Sequence, residues 1–327
     1  MKRAFNSDNL TLPTIILIGV LFALVPILSG DTYLLHICIL VLMFGALASS
    51  WNLINGYAGI FSFGHQAFFG AGAYASSLLA LNFNISPWLT IWLAGFLTAL
   101  LGIVVSLPVM RIRSVPHIAI VTLAFAEIVR ITCSNLTGIT RGELGLNTPA
   151  LPGFSLPLVG DITFTAAHKT GYLYVILMLW LFVMLVTWSL LRSRFGYGIR
   201  AIRSSQIAAE SLGVSLVWHK TAIFALSSFL AGIIGAFYGH YILVLTPASA
   251  LGMDIMVQVI AITLIGGIGY LLGPTLGAVL LIFGLEYLRG LGGYQMLVYG
   301  ALLLVIVMFL PGGLASLKPG RSSSSST

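Results

Sequence analysis

The stretch from Arg192 to Lys220, RSRFGYGIRAIRSSQIAAESLGVSLVWHK, decides the fold by its contrast with everything around it. It holds Arg192, Arg194, Arg200, Arg203 and Lys220, five of the chain's 15 Lys and Arg residues, against the single acid Glu210. On either side the sequence is oily: 59% of the 327 residues are hydrophobic, only 7% are charged, and the mean hydropathy is +1.07. Soluble domains carry roughly 25% charged residues. A basic island between long apolar runs marks an integral membrane protein.

Several of these runs reach the ~20 residues that cross a ~30 Å hydrocarbon core as helix, and none shows the ~10-residue alternation of a membrane barrel. Spans are expected near 12–29, 33–54, 58–81, 88–110, 115–135, 171–191, 221–245, 254–272, 274–289 and 295–310. The expected fold is all-α: one polytopic transmembrane helical bundle over residues 1–327, with about ten spans, eight to ten being compatible with the pattern. With Lys2 and Arg3 in the cytoplasm, ten crossings put Arg111, Arg113, the 192–220 loop and the tail 312–327 with Lys318 and Arg321 on the same side. Both termini are then cytoplasmic, and the external loops carry only Arg141 and Lys169 as bases, as the positive-inside rule requires. The apolar run Leu12 to Leu28 lacks a following A-x-A site and reads as an uncleaved first helix.

The formal net charge of +7 does not point to nucleic acid, because the basic residues lie in short segments between apolar runs. Cys38 and Cys133 fall inside expected spans without metal or redox spacing, so no metal site and no disulfide framework are expected. A membrane enzyme would need paired acids or a nucleophile beside a base inside the spans, and the sequence offers neither.

The segment GYAGIFSFGHQAFFGAG, Gly56 to Gly72, is too rich in glycine for an ordinary lipid-facing helix. It is expected to pack closely or to break, and a broken helix in hydrocarbon must be covered by protein or line a water-filled cavity. Two roles stay open. The small residues let helices approach, or the segment lines a translocation pathway to which Gly59, Ser62, Gly64, His65 and Gln66 contribute. A second glycine-rich run, LIGGIGYLLGPTLGAVL from Leu264 to Leu280, lacks the GK[ST] ending of a P-loop and is expected to be a tight turn between two spans.

Glu127 and Arg130 stand at i,i+3 inside a span and can pair on one helix face, which favours a structural clamp, with Glu127 a lesser pathway candidate. Glu286 and Arg289 share the spacing, whereas an ion-coupled secondary transporter would need unpaired intramembrane carboxylates. The external segment 136–170 is long for a connection and suits an external partner, a cover over the pathway, or a plain loop.

Within the opening stretch, Ile199, Ile202, Ile207, Ala208, Ser211 and Leu212 approximate a helical stripe, with Arg200, Arg203 and Glu210 off it. A short amphipathic helix ending at Gly213 as its C-cap is expected. Such a helix lies on an anionic lipid surface or fits a groove on a soluble protein, and periodicity does not separate the two.

The same residues resemble the cytoplasmic coupling loop of permease subunits of ATP-binding-cassette importers: Ala208-Ala209-Glu210 with Gly213 is similar to their Glu-Ala-Ala…Gly pattern in permuted form. More closely, SRFGYGIRAIRSSQIAAESLGVSLVWHK and NLINGYAGIFSFGHQAFFGAGAYASSLLA (52–80) resemble the branched-chain amino acid permeases of LivM type. So do IAIVTLAFAEIVR (118–130) with the following LTGITRGELGL, and GGIGYLLGPTLGA (266–278), in the same order along most of the chain.

The resemblance implies a multi-pass protein of the bacterial inner membrane working with a second, LivH-type permease, two cytoplasmic ATPases that bind the ATP, and a periplasmic binding protein. It implies Leu, Ile or Val as substrate, with urea, short amides and aromatic acids as alternatives within the family. No cofactor is expected on this chain. Arg200, Arg203, Ala208, Ala209, Glu210 and Gly213 become the expected ATPase-coupling residues, in a helix running from Arg200 to Gly213. Gln66, where many relatives have a small residue, and Ser204-Ser205, where they often carry an acidic pair, depart from the family pattern.

Overall fold

A computed structural model describes residues 8–28, 30–112, 114–156, 160–162, 164–165, 169–288, 300 and 313–314. The long helices are α1 (Asp8–Leu28), α2 (Thr32–Asn52), α3 (His65–Phe83), α4 (Pro87–Arg111), α5 (Val115–Asn135), α7 (Thr170–Arg192) and α10 (Leu216–Ile242). Shorter ones are α6 (Thr137–Thr140), α8 (Arg194–Ser204), α9 (Gln206–Ser211), α11 (Pro247–Leu251), α12 (Met253–Gly266) and α13 (Gly273–Leu288). Two small antiparallel ladders decorate them: β1 (Leu146–Asn147) pairs with β4 (Val244–Leu245), and β2 (Phe154–Leu156) with β3 (Gly160–Ile162).

Among the described residues, six segments are long and apolar enough to cross a membrane: Thr32–Tyr57, Pro87–Arg111, Pro116–Asn135, Thr170–Arg192, Leu216–Ile242 and Pro247–Gly266. Leu12–Leu28 and Gly273–Leu288 are apolar but shorter. The expected span 295–310, apart from Gly300, and the tail beyond Leu314 with Lys318 and Arg321 lie outside the described residues.

Burial ranks the helices. The first of these segments is 89% buried over its most apolar window and the Leu216–Ile242 segment 72%, against 17% for Pro116–Asn135. The α2 and α10 helices are therefore the axis of the bundle, while α5 lies at its rim. The core is filled by Trp51 and Met43 from α2, Phe68 and Phe69 from α3, Trp180 from α7 and Phe224 and Phe237 from α10. In hydrocarbon, helices associate through close packing rather than through expulsion of water, which favours small residues at crossings. The α3–α10 crossing shows this: a Cβ added at Gly72 would overlap the Gly232 carbonyl, and one at Gly235 the Phe69 carbonyl.

Of the described basic residues, Arg111, Arg192, Arg194, Arg200, Arg203 and Lys220 gather at one end, while Arg130, Arg141 and Lys169 lie away from it. Helices α4 and α7 finish in Arg111 and Arg192, α8 and α9 follow, and Thr221 at the start of α10 lies against Met110 and Ser106 of α4. The opposite end is closed by the 136–165 segment, an ordered strap among its described residues. Thr148 Oγ1 donates to the Gly239 carbonyl at 2.6 Å, the Pro149 carbonyl lies 2.8 Å from His240 Nδ1, and Trp88 Nε1 donates to the Pro152 carbonyl at 3.3 Å.

Two expectations change. The span placed at 58–81 begins at His65 instead, because residues 58–64 leave the helix and turn back along α2. The single helix expected over Arg200–Gly213 is two. Ser205 is extended (φ −162°, ψ 117°), and its hydroxyl accepts the Ala208 N–H at 3.3 Å, so it ends α8 and N-caps α9.

Candidate functional site

The site grows from a break in the central helix. After Asn52 the α2 helix widens into one π turn, Leu53–Tyr57, where backbone bonds run i→i+5; π turns recur at functional sites. The Leu53 carbonyl receives Ala58 N at 3.3 Å and the Ile54 carbonyl receives Ile60 N at 3.0 Å, after which the backbone is no longer helical until His65. A non-helical stretch against apolar helices must find its hydrogen bonds in nearby side chains. Trp51 Nε1 donates to the Ser62 carbonyl at 2.8 Å, Phe63 N to Thr122 Oγ1 at 2.9 Å, and Gly64 N to Ser62 Oγ at 3.3 Å.

Helix α3 then starts inside the protein at the level of Ser50, without a side-chain cap at Gly64. His65 is fully buried with its Nε2 2.8 Å from Ser50 Oγ, and Ser227 Oγ of α10 donates to the Ser50 carbonyl at 2.5 Å. Three buried polar atoms close to this start, Asn55 Nδ2, His65 Nδ1 and Gln66 Oε1, have no hydrogen-bond partner among the described residues. Each such group costs about 1–3 kcal/mol in a dry interior. Their concentration on the two sides of the break makes it the least satisfied polar region described here.

Of the expected pathway residues, Gly59, Ser62 and Gly64 lie in the non-helical stretch, Gly59 against Arg203 and Gly64 against Thr122, while His65 and Gln66 open α3. Glu127 is not with them. It lies on the exposed side of α5, where both of its carboxylate oxygens accept from Arg130 Nε, at 3.1 and 3.0 Å, and Arg130 Nη2 adds a further bond. The expected clamp is present. Glu286 of the other pair is described, while Arg289 lies outside the described residues.

The basic loop divides into an inward and an outward half. Ile199 and Ile202 of α8 are buried against the bundle, and Ala209 is the buried residue of α9. Lys220, buried at the start of α10, donates to Gln206 Oε1 at 3.2 Å and so fastens α9. Outward stand Ile207 and Leu212, 77% and 81% exposed, and Ala208, Glu210, Val217 and Trp218 are exposed as well. Gly213 closes α9 at φ +81°: its N–H reaches the Glu210 carbonyl at 2.9 Å and Val214 N the Ala209 carbonyl at 3.0 Å, the Schellman pattern. Arg200 and Arg203, expected beside a partner, bond inward. Arg200 donates to the Leu191 and Gly196 carbonyls and lies over the Tyr197 ring, and Arg203 Nη1 donates to the Gly56 carbonyl.

Sequence reasoning missed Ser50, Asn52, Asn55 and Thr122 at the break, and the chain Thr90–Ser76–His240 that joins α4, α3 and α10 through contacts of 2.8 Å. Asn52 and Asn55 carried a signal, since side-chain amides inside an apolar run are costly unless bonded. The serines and threonines did not, because most of them could return to their own helix, as Ser49 does to the Gly45 carbonyl. Among the described residues no group of three His, Cys, Asp or Glu side chains could hold a metal ion. A groove of about 600 Å³ between α4 and α7, walled by Trp88, Trp92, Tyr174 and Met178, is apolar and remote from the break.

Residues 33–308 match the family model described as branched-chain amino acid transport system / permease component. The chain is 30% identical over 294 residues to the high-affinity branched-chain amino acid transport system permease protein LivM of Salmonella typhimurium and, with the same figures, to that of Escherichia coli; in each case 85% of this chain and 69% of the relative are covered. It is also 26% identical over 208 residues, 56% of this chain and 60% of the relative, to the nucleoside ABC transporter permease protein NupC of Lactococcus lactis. No solved structure matches. The chain is a multi-pass membrane protein, and it belongs to the family of branched-chain amino acid transport system permease components.

Proposed function

We propose that this chain is the translocating subunit of an ATP-binding-cassette importer in a bacterial inner membrane. It passes Leu, Ile or Val by alternating access that partner ATPases drive. The observation that carries the reading is the exposure of Ile207 on α9 and of Leu212 at its C-cap, on a helix fastened from behind by Ala209 and Lys220. A short helix anchored on one side and apolar on the other suits a groove on a soluble partner. Ala208 and Glu210 complete that face and Gly213 fixes the exit of the chain behind it. The partners of this reading are two cytoplasmic ATPases, which hold the ATP, a second, LivH-type permease and a periplasmic binding protein. No cofactor is assigned to this chain.

The pathway is assigned to the break, with Gly59, Ser62, Gly64, His65 and Gln66 as its residues and Ser50 bonded to His65. His65 and Ser62 are fully buried and Gln66 is 4% exposed, so passage requires the bundle to rearrange. Glu127, bonded on the rim, is given no part in it.

The test is purification of the tagged chain co-expressed with the neighbouring transport components. Wild type should bring an ATPase, and Ile207→Asp or Leu212→Asp should lose it while keeping a normal melting profile. Transport by the chain alone, driven by a proton gradient, would overturn the importer reading. A second substrate reading draws on the likeness to the nucleoside permease NupC. Uptake of labelled leucine compared with a nucleoside, urea and short amides decides between them.

A further inference from the structure

The inward half of the basic loop does more than anchor it. Arg203 is the penultimate residue of α8, two residues before the extended Ser205 that leads to α9. From there its guanidinium reaches the Gly56 carbonyl, in the last turn of the broken helix. The final carbonyls of a helix have no intrahelical partner and carry the negative end of its dipole, so a cation from another element is favoured there. The neighbouring carbonyls of Leu53 and Ile54 are already taken by Ala58 and Ile60.

The seat around Arg203 is built of glycine. A Cβ added at Gly59 would lie 3.0 Å from Arg203 Cγ, and one at Gly269 3.2 Å from Arg203 Nη1. Both glycines have positive φ, +69° and +80°, so neither position suits a larger residue. Gly269 belongs to the turn between α12 and α13, and Asn52 locks that turn onto the end of α2. Gly269 N donates to Asn52 Oδ1 at 2.9 Å, and Asn52 Nδ2 donates to the Tyr270 carbonyl at 3.0 Å. Arg203 therefore stands where the loop, the broken helix and the α12–α13 turn meet.

We propose that Arg203 is a positioning residue that joins α8 to the broken helix and the α12–α13 turn, so that displacement of the loop moves the pathway. The proposal rests on the importer reading for the source of the movement. Its geometry does not depend on it.

The experiment uses the full chain with its partner subunits, as wild type, Arg203→Ala and Arg203→Lys. Hydrogen exchange on the chain is expected to rise at least tenfold in Arg203→Ala for amides of 53–60 and 267–270, and to stay unchanged in 194–200. The ATPases should co-purify at wild-type yield and basal hydrolysis should persist, while transport per ATP falls at least tenfold. Arg203→Lys, which keeps the charge and one donor, should recover part of the transport and is the variant to read if Arg203→Ala does not accumulate. Wild-type exchange in both segments, or wild-type transport per ATP, overturns the proposal. Loss of the ATPases with unchanged exchange also overturns it and makes Arg203 a docking contact. A wild-type chain that brings no ATPase defeats the importer reading, and the exchange measurement still decides the joint.

Discussion

Two glycines with similar positive φ separate conformation from contact. Gly213 at φ +81° has nothing within 4 Å of an added Cβ, whereas at Gly59, φ +69°, the added atom meets the Arg203 side chain at 3.0 Å. A left-handed residue with a Cβ costs roughly 1–2 kcal/mol. Gly213→Ala is expected to lose about that much, and Gly59→Ala distinctly more, by thermal unfolding in detergent. Equal losses would mean that Arg203 yields freely. The same scale shows what the sequence could convey. A glycine after an apolar stripe announces a helix end, so Gly213 was legible. The bond from Arg203 to the Gly56 carbonyl was not, since it joins residues 147 positions apart and depends on which main-chain carbonyl a π turn leaves unpaired.

Among the elements, the division of the basic loop turns on one hydroxyl. Residues 198–212 keep a helical stripe in sequence, yet Ser205 takes an extended conformation and its side chain supplies the cap of α9. Serine competes with helix by bonding its own backbone neighbours, a tendency the stripe does not display. The consequence is that Ile199 and Ile202 face the bundle while Ile207 and Leu212, beyond the junction, face outward. Ser205→Ala removes the cap and is expected to cost roughly 0.5–2 kcal/mol of local stability. Faster amide exchange across 206–211 with α8 unaffected is the signature, and an unchanged rate would show that Lys220 and Gln206 hold α9 without the cap. The glycine-rich segment Gly56–Gly72 illustrates the opposite case. Close packing or a break is expected of it, and it does both: the chain leaves the helix at 58–64, and Gly72 of α3 packs against Gly232.

For the whole molecule, the segregation of charge follows from physics the sequence displays openly. Arg111, Arg192 and the 192–220 loop collect at one end and the 136–165 strap at the other, and assigning the basic end to the cytoplasm is the expectation of the positive-inside rule. Single cysteines at Ser211 and Ser86, both exposed at opposite ends, test it: an impermeant thiol reagent added to intact cells should label Ser86→Cys and spare Ser211→Cys. The reverse pattern inverts the orientation. What remained hidden at this scale was rank. Composition makes every apolar run look alike, yet the Thr32–Tyr57 segment is nearly enclosed and α5 is nearly bare, a difference set by long-range packing.

The wide turn at Leu53–Tyr57 is also a matter of screw geometry. Each residue of α-helix advances about 1.5 Å and turns by about 100°. A π turn holds one residue more than the rise around it needs, so tightening it to ordinary pitch would swing the chain that follows by about a quarter of a revolution. The Gly56 carbonyl would be carried out of Arg203's reach, and the return path through Ser62 and His65 would be re-aimed relative to Ser50. The central helix thus carries a detent in its thread, and the arginine at the foot of the loop is the pin that holds it.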